Sequence, residues 1–376
     1  MFQLFFDAME PFFSFVIPCC DVEPYVRECL ESVTKQSFQS WECLIGIEPS
    51  KDRTEEVINE LTAGDERFRI FHGPRSGSCS ASRNTGTDMA RGKYVIYLDG
   101  DDSIAEESLA RIAARIEANP GADLYPCAIV AYEEDTGKTE IRDNYADDSP
   151  AEMSGVEATL ELDRLWHGGL CPMLQLTVFR REFLVEHDLK CIYGLRRQDS
   201  EFSPRALYRA KRVVPLREPF YLYRIRGNSV STASKDVGRF HKDWAIITRS
   251  LLAFHAQVSK EPGFDPRVGP CWVRQWISRL FFVWFFPFNM KNIQRQRRLE
   301  TLRSLFENGF GDFDALLKYA NTPQHIAGWF ARMFVRCPGL RWLAEMFFRC
   351  YYVFLESKGR RKLAFRKSAA EKGKAV

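Results

Sequence analysis

The 376-residue chain contains no window reaching the roughly 18 uninterrupted apolar residues of a membrane-spanning helix, so a soluble or surface-bound protein is expected. Histidine is scarce: the six present show neither H-x-x-x-H nor H-x-H spacing, which argues against a histidine-held metal. Cysteine is not scarce, but the eleven form no C-x-x-C pair, have no histidine at zinc spacing and are odd in number. They read as reduced cytosolic thiols rather than as a disulfide or zinc framework. The opening "MFQLFFDAMEPFFSF" has no basic leader and no small-residue cleavage site, and it contains Asp7 and Glu10, so it does not read as a signal peptide. Residues 1–11 are taken as an N-terminal extension.

Charge is abundant and unevenly placed. Residues 1–231 hold 27 Lys and Arg against 39 Asp and Glu, whereas residues 232–376 hold 26 against 11, so a net −12 precedes a net +15. This suggests a chemical domain over 12–231 and, over 232–376, a basic, aromatic region attached to something anionic. In the first half, short apolar runs alternate with segments of helical spacing. "FSFVIP" ends in Pro18 as a strand, and Pro24 to Gln36 places Tyr25, Val26, Cys29, Leu30 and Val33 on one helix face. "WECLIGI" and "FRIFH" are further strands, Thr54 to Leu61 a helix, and "SASRNTGTDMARG" a helix closed by Gly92. "KYVIYL" is the fourth strand. Such alternation predicts an α/β, doubly wound sheet, whose ligands sit at the carboxyl ends of the strands. Further on, Ala105 to Ala118 and Val156 to Asp163 read as helices, "DLYPCAIVAYEEDTGKTEIR" as two strands joined by a Thr-Gly-Lys turn, and residues from Arg239 as mainly helical with loops at Glu261 to Pro270 and Asn308 to Asp314.

The fourth strand delivers "DGDDSIAEE", with Asp99, Asp101 and Asp102 in quick succession. One reading is a turn followed by a helix cap, with Ser103 and Glu106 forming a capping box. That explains the serine and the glutamate but not three aspartates. The other reading is a site for a hard divalent ion such as Mg²⁺ or Mn²⁺, with phosphate oxygens completing its shell. A D-x-D phosphatase is the weaker chemistry, because its nucleophile ordinarily follows the first strand of the sheet.

The stretch from "FVIPCCDVEPYVRECLESVTKQ" through "SGSCSASRNTG" to "YLDGDD" resembles the family 2 glycosyltransferases. Pro18, Glu23, Tyr25, Leu30, Ser32, Gln36, Ser80, Arg83, Asn84, Gly86, Leu98, Asp99, Asp101 and Asp102 fall on that family's pattern. Downstream, "TVFRREFLVEHDLKCIYGLRRQDSEF" looks like its acceptor-side segment ending in an E-D pair, and "YLYRIRGNSVS" like its closing motif. The resemblance implies a GT-A-like, doubly wound mixed sheet followed here by a mainly helical C-terminal region. It also implies an inverting transferase that moves a sugar from a nucleoside-diphosphate sugar to a hydroxyl acceptor in cell-surface polysaccharide or lipid-linked glycan synthesis. In that scheme Asp101 with help from Asp99 holds Mn²⁺ or Mg²⁺, and Pro18, Asp21, Glu23, Glu48, Arg83, Asp99, Asp101, Arg224 and Arg226 hold the donor. Asp199 is the base that takes the acceptor proton, with Glu201 as its reserve; Asp199 also reads as an N-cap for "SEFSPRAL". The alternative is a non-catalytic nucleotide-sugar-binding or scaffold protein.

Three departures bear on the nucleotide. Cys20-Asp21 stands where the family shows Tyr-Asn, Ile47-Glu48-Pro49-Ser50 replaces its D-D-G-S turn, and Gln198 replaces the Glu of the E-D pair. They put the usual uridine preference in question. Trp166 and His167 in "LWHGGLCPM" are further candidates for a sugar pocket, with packing the commoner role. In the second half, "WISRLFFVWFFPF" is too short to span a bilayer, and Arg332, Arg336, Arg341 and Arg349 punctuate aromatics ahead of a basic tail. Such a pattern suits the headgroup region of an anionic membrane, hence a peripheral enzyme on the cytoplasmic face. A helical subdomain packed on protein is the other reading. Nucleic acid is not expected, because the acidic half would repel phosphates.

Overall fold

The computed structural model describes residues 10–166, 174–226 and 237–275, together with scattered positions between 318 and 346. The chain divides into two compact units, Met1–Lys235 and Asp236–Val376.

The first unit opens with β1 (Phe13–Cys19), α1 (Glu23–Thr34), β2 (Trp41–Ile47), α2 (Thr54–Thr62), β3 (Phe68–His72), α3 (Ser80–Met89) and β4 (Tyr94–Tyr97). These four strands form a parallel array in the order β3-β2-β1-β4, with Phe13 opposite both Trp41 and Tyr94. β2 is buried along its whole length and β1 nearly so, as a parallel sheet covered on both faces demands. Side chains alternate across that sheet: Phe13, Phe15 and Ile17 join a core with Val26, Cys29 and Leu30 of α1, while Val16 enters the opposite core with Leu44, Val95 and Tyr97. The acidic residue inside β2, Glu42, is buried and accepts from Ser14 Oγ at 2.7 Å, the Arg91 amide at 2.6 Å and Arg69 Nη1 at 3.0 Å, which offsets its loss of water.

Two later strands extend this sheet in the antiparallel sense, β9 (Thr177–Arg180) beside β4 and β6 (Leu124–Pro126) beside β9, so the sheet is mixed. A second sheet has the order β5-β10-β7-β8, built from β5 (Ser103–Ile104), β7 (Ala128–Glu133), β8 (Thr139–Arg142) and β10 (Pro219–Ile225). Helices α4 (Ser108–Ala118), α5 (Gly155–Trp166), α6 (Arg181–Glu186) and α7 (Asp199–Arg209) complete the unit.

Three local expectations are corrected. Ser103 is no helix cap: with Ile104 it pairs against Leu222 and Tyr221 of β10, and α4 starts only at Ser108, after Glu107 in the left-handed region (φ 58°). Residues 123–142 form three strands rather than two, because Leu124–Pro126 pairs with β9 in the large sheet and the chain then crosses at Cys127 into the small one. The third helix ends at Met89, before Gly92. Gly92 instead lies against β1, where a Cβ would fall 2.8 Å from the Phe13 carbonyl carbon.

In the second unit, α8 (Val237–Val258) precedes a further helical stretch at 268–275, which begins inside the expected loop. His255 stacks on Trp272 at 3.9 Å with the rings 5° apart, and the Tyr319 ring lies where a Cβ on Gly269 would fall 2.2 Å from its Cγ. The loop at 308–314, the "WISRLFFVWFFPF" segment and most of the basic tail lie outside the described residues.

Candidate active site

β4 ends at Tyr97, Leu98 is buried, and the chain then turns through Asp99, Gly100 and Asp101 at the carboxyl end of the parallel strands. Gly100 permits the turn to lie on the end of β1: a Cβ there would be 2.9 Å from Cys19 Sγ and 3.2 Å from the Pro18 carbonyl oxygen. Pro18 therefore sits directly beneath the acidic turn. Each of the three aspartates brings a carboxylate oxygen within 4.8 Å of the others.

Their surroundings differ. Asp102 is buried, and its carboxylate accepts from the Tyr221 hydroxyl at 2.7 Å and the Arg224 amide at 2.8 Å. Burial, then Asp101 and Asp99, push its carboxyl well above the usual range. Asp102 thus ties the turn to β10 and faces the fold. Asp99 accepts from Arg83 Nη2 at 2.5 Å on one oxygen and from Gln175 Nε2 at 2.7 Å on the other, while its amide donates to the Tyr221 hydroxyl at 3.1 Å. Asp101 is ion-paired with Arg226, and its carbonyl accepts from Arg224 Nε at 3.3 Å. Burial and the neighbouring Asp99 raise the Asp101 carboxyl, and Arg226 pulls it back.

Arg83 comes from α3 and is 3% exposed. Besides Asp99, its guanidinium donates to Gln198 Oε1 at 2.9 Å, while its Nε has no partner among the described residues. The same helix fastens the loop that leads to α7. The Asn84 side-chain amide exchanges two hydrogen bonds of 2.8 Å with the Cys191 backbone, and Ser80 Oγ accepts from the Gly194 amide at 2.8 Å. Asp199 is the first residue of α7, and the cap position belongs to Gln198 in helical conformation, so the expected N-cap role falls away. The Asp199 carboxyl is raised by burial, against the Ser200 amide, Arg83 and Arg197, and with a further push from Asp99. Glu201 is no reserve base, because it is 1% exposed and held by Arg205 through two hydrogen bonds of 2.7 Å.

Of the other predicted donor residues, Asp21 and Glu48 lie in the loops after β1 and β2, and Glu23 opens α1. Asp21 (φ 53°) accepts from the Lys51 amide at 2.7 Å and pairs with Arg75, and the Lys51 amide and Arg75 hold its carboxyl below the usual range. Glu23 accepts from the Arg53 amide at 2.9 Å and donates its own amide to Asp52 at 3.1 Å. Glu48 is buried and accepts twice from Ser76, at 3.0 Å from its amide and at 3.0 Å from its hydroxyl. All three tie together the segments that follow β1, β2 and β3. Arg224 reaches Glu28 at 2.6 Å and Glu134 at 3.5 Å, and Arg224 and Arg226 lie over the Tyr25 ring at 5.2 and 4.5 Å.

The structure therefore brings Asp99, Asp101, Arg83, Arg224 and Arg226 together, with Pro18 beneath them and Asp199 joined to the group through Gln198. It adds Gln175, Tyr221 and Gln198 as partners that sequence reasoning did not assign. Gln175 is a lone polar residue between Leu174 and Leu176, and that isolation is the signal that could have marked it. His167 lies outside the described residues, as does the side chain of Trp166.

A parallel β3-β2-β1-β4 array with an aspartate turn at the end of β4 and antiparallel strands beyond it defines a GT-A-like α/β domain. Residues 14–187 match the family model described as "Glycosyl transferase family 2", so this stretch carries a family 2 glycosyltransferase domain. Among curated relatives, the uncharacterized glycosyltransferase EpsJ of Bacillus subtilis (strain 168) is 27% identical over 227 residues, 59% of this chain and 64% of EpsJ, so the chain spans under two thirds of that relative. TuaG of the same organism, provisionally named a teichuronic acid biosynthesis glycosyltransferase, is 28% identical over 102 residues, 27% of this chain and 40% of TuaG. The crystal structure of S. aureus TarS 1-349 in complex with UDP-GlcNAc is similar in fold, with a TM-score of 0.66 at 17% identity, covering 87% of this chain and 88% of that one.

Proposed function

We propose that this chain is an inverting, metal-dependent glycosyltransferase that moves a sugar from a nucleoside-diphosphate sugar to a hydroxyl of a growing cell-surface polysaccharide or lipid-linked glycan. The observation that carries this reading is the Arg83 bridge, which joins the acidic turn at Asp99 to Gln198, the residue preceding Asp199. The donor-side carboxylate of Asp99 and the start of the helix that carries the candidate base are thereby joined through one buried side chain. The nucleotide-sugar bound to TarS supports the donor class, and the name of TuaG supports the acceptor class.

The oxygen donors of Asp101 and Asp99 fit a hard divalent ion, and the crowding of three carboxylates within 4.8 Å is a concentration of negative charge that a cation relieves. Such an ion, Mg²⁺ or Mn²⁺, would supply Lewis-acid stabilisation of charge on the departing diphosphate. The chain's own residues do the rest. Asp199 accepts the proton of the acceptor hydroxyl as its oxygen attacks the anomeric carbon from the face opposite the diphosphate. The bond to the diphosphate oxygen breaks with its electron pair, and Arg226 is the guanidinium beside the turn that can receive the resulting charge. Arg224, tied to Glu28 and Glu134, fixes the Asp101 carbonyl and the end of β10.

The test is transfer and donor hydrolysis with Mn²⁺ or Mg²⁺, followed by mass spectrometry over a panel of nucleotide-sugars. Cys20 removes the family's stacking aromatic and Glu48 is engaged by Ser76, so the panel has to include bases other than uracil. Turnover is expected to be lost in Asp101→Ala and Asp199→Asn; unchanged turnover in both would sink the mechanism. Donor binding with no turnover on any acceptor would favour the non-catalytic alternative. No helix among the described residues is long and apolar enough to cross a membrane. The basic, aromatic second half, with exposed Ile326, Trp329, Leu340 and Met346, supports peripheral attachment to an anionic membrane on its cytoplasmic face.

A further inference from the structure

Among the described contacts of the acidic turn, both carboxylate oxygens of Asp99 accept hydrogen bonds, from Arg83 and Gln175, and both of Asp102 accept from the Tyr221 hydroxyl and the Arg224 amide. Asp101 is the carboxylate through which a cation can enter the turn, and Arg226 holds its Oδ2. Arg224 is fixed by Glu28 and Glu134, both outside the turn. Arg226 follows directly after the last residue of β10, pairs within the turn itself, and rests on the face of Tyr25 at 4.5 Å. A guanidinium and a divalent ion on one carboxylate repel each other, so both cannot hold Asp101 at full strength.

We infer that Arg226 is a tethered counter-cation that competes with the divalent ion for Asp101, and that the donor's diphosphate, by drawing Arg226 onto its own oxygens, opens Asp101 to the metal. The inference rests on the metal-dependent reading above and adds an order to it: the ion alone binds weakly, and ion and diphosphate assist each other. Binding linkage makes that assistance reciprocal. The sugar donor thus recruits its own metal, and Arg226 positions the charge in both states.

Mn²⁺ alone, titrated into the full chain without nucleotide and followed by the electron paramagnetic resonance signal of the unbound ion, tests this without reference to turnover. Arg226→Gln is expected to bind Mn²⁺ about tenfold more tightly than the unaltered chain, the scale of one partly buried charge. Arg226→Lys, which keeps the charge, is expected to stay near the unaltered value, and Asp101→Asn added to Arg226→Gln to abolish the gain. Circular dichroism of each variant shows that the fold is retained. Equal or weaker binding in folded Arg226→Gln, with binding still dependent on Asp101, overturns the competition and leaves metal dependence standing. Absence of Mn²⁺ binding in every variant, with transfer persisting in a chelator, overturns the metal reading and this inference together.

Discussion

Asp199 holds its proton more tightly than an ordinary carboxyl because its surroundings shield it from water, and the Ser200 amide, Arg83 and Arg197 only partly offset that. A general base works ionised, so the rate should fall as pH drops through this raised value, and the acid limb of kcat/KM should lie above the usual carboxylate range near ~4. A pH profile with its acid limb at or below that range would show that Asp199 is not the base. Asp199→Asn should lower kcat by roughly 10² to 10⁴ while leaving donor KM close to unchanged. Gln198→Glu is the sharper probe. It would place a second carboxylate on Arg83, divide the charge that now lowers the Asp199 pKa, and move the acid limb to higher pH. At this scale the aspartates were legible as a charge cluster at a strand end, and the arginines came with the family pattern. Gln175 and Gln198 were not, since a neutral amide has no meaning until the fold brings Asp99 and Arg83 to it.

At the scale of elements, the parallel half was readable from its buried apolar strands and helical spacing. The antiparallel half was not, because β6 takes its partner from β9, some fifty residues later, and nothing local marks the crossing at Cys127. The capping signal shows the limit plainly. Ser103-Ile-Ala-Glu106 and Ser154-Gly-Val-Glu157 have the same spacing, yet only the second caps a helix, with Ser154 and Glu157 exchanging hydrogen bonds of 2.8 to 3.2 Å. Pairing with β10 took Ser103 into a strand. Ser154→Ala should therefore cost about 1 kcal/mol in denaturant unfolding, and Glu106→Ala nearly nothing. Gly86, in α3, faces Val16 of β1, where a Cβ would lie 2.5 Å from Cγ1. Gly86→Ala should destabilise by about 1 to 3 kcal/mol through forced separation of helix and sheet; an unchanged midpoint would mean that this packing yields.

For the whole molecule, the charge partition is the main clue to where the proposed activity takes place. An acidic unit suits the proposed cation-binding site, and repulsion alone would keep it from an anionic lipid surface. A chain with net +15 over residues 232–376 can overcome that repulsion, at roughly 1 kcal/mol per basic residue close to the surface. The full chain should therefore float with vesicles rich in anionic lipid, float poorly with neutral ones, and be released by raised salt, since screening shortens the reach of the attraction. Replacing Arg360, Arg361 and Lys362 with Glu should weaken flotation while leaving transfer to a soluble acceptor intact. Flotation that ignores lipid charge and salt would instead assign attachment to apolar insertion, with exposed Trp329 and Met346 as the first residues to exchange for serine.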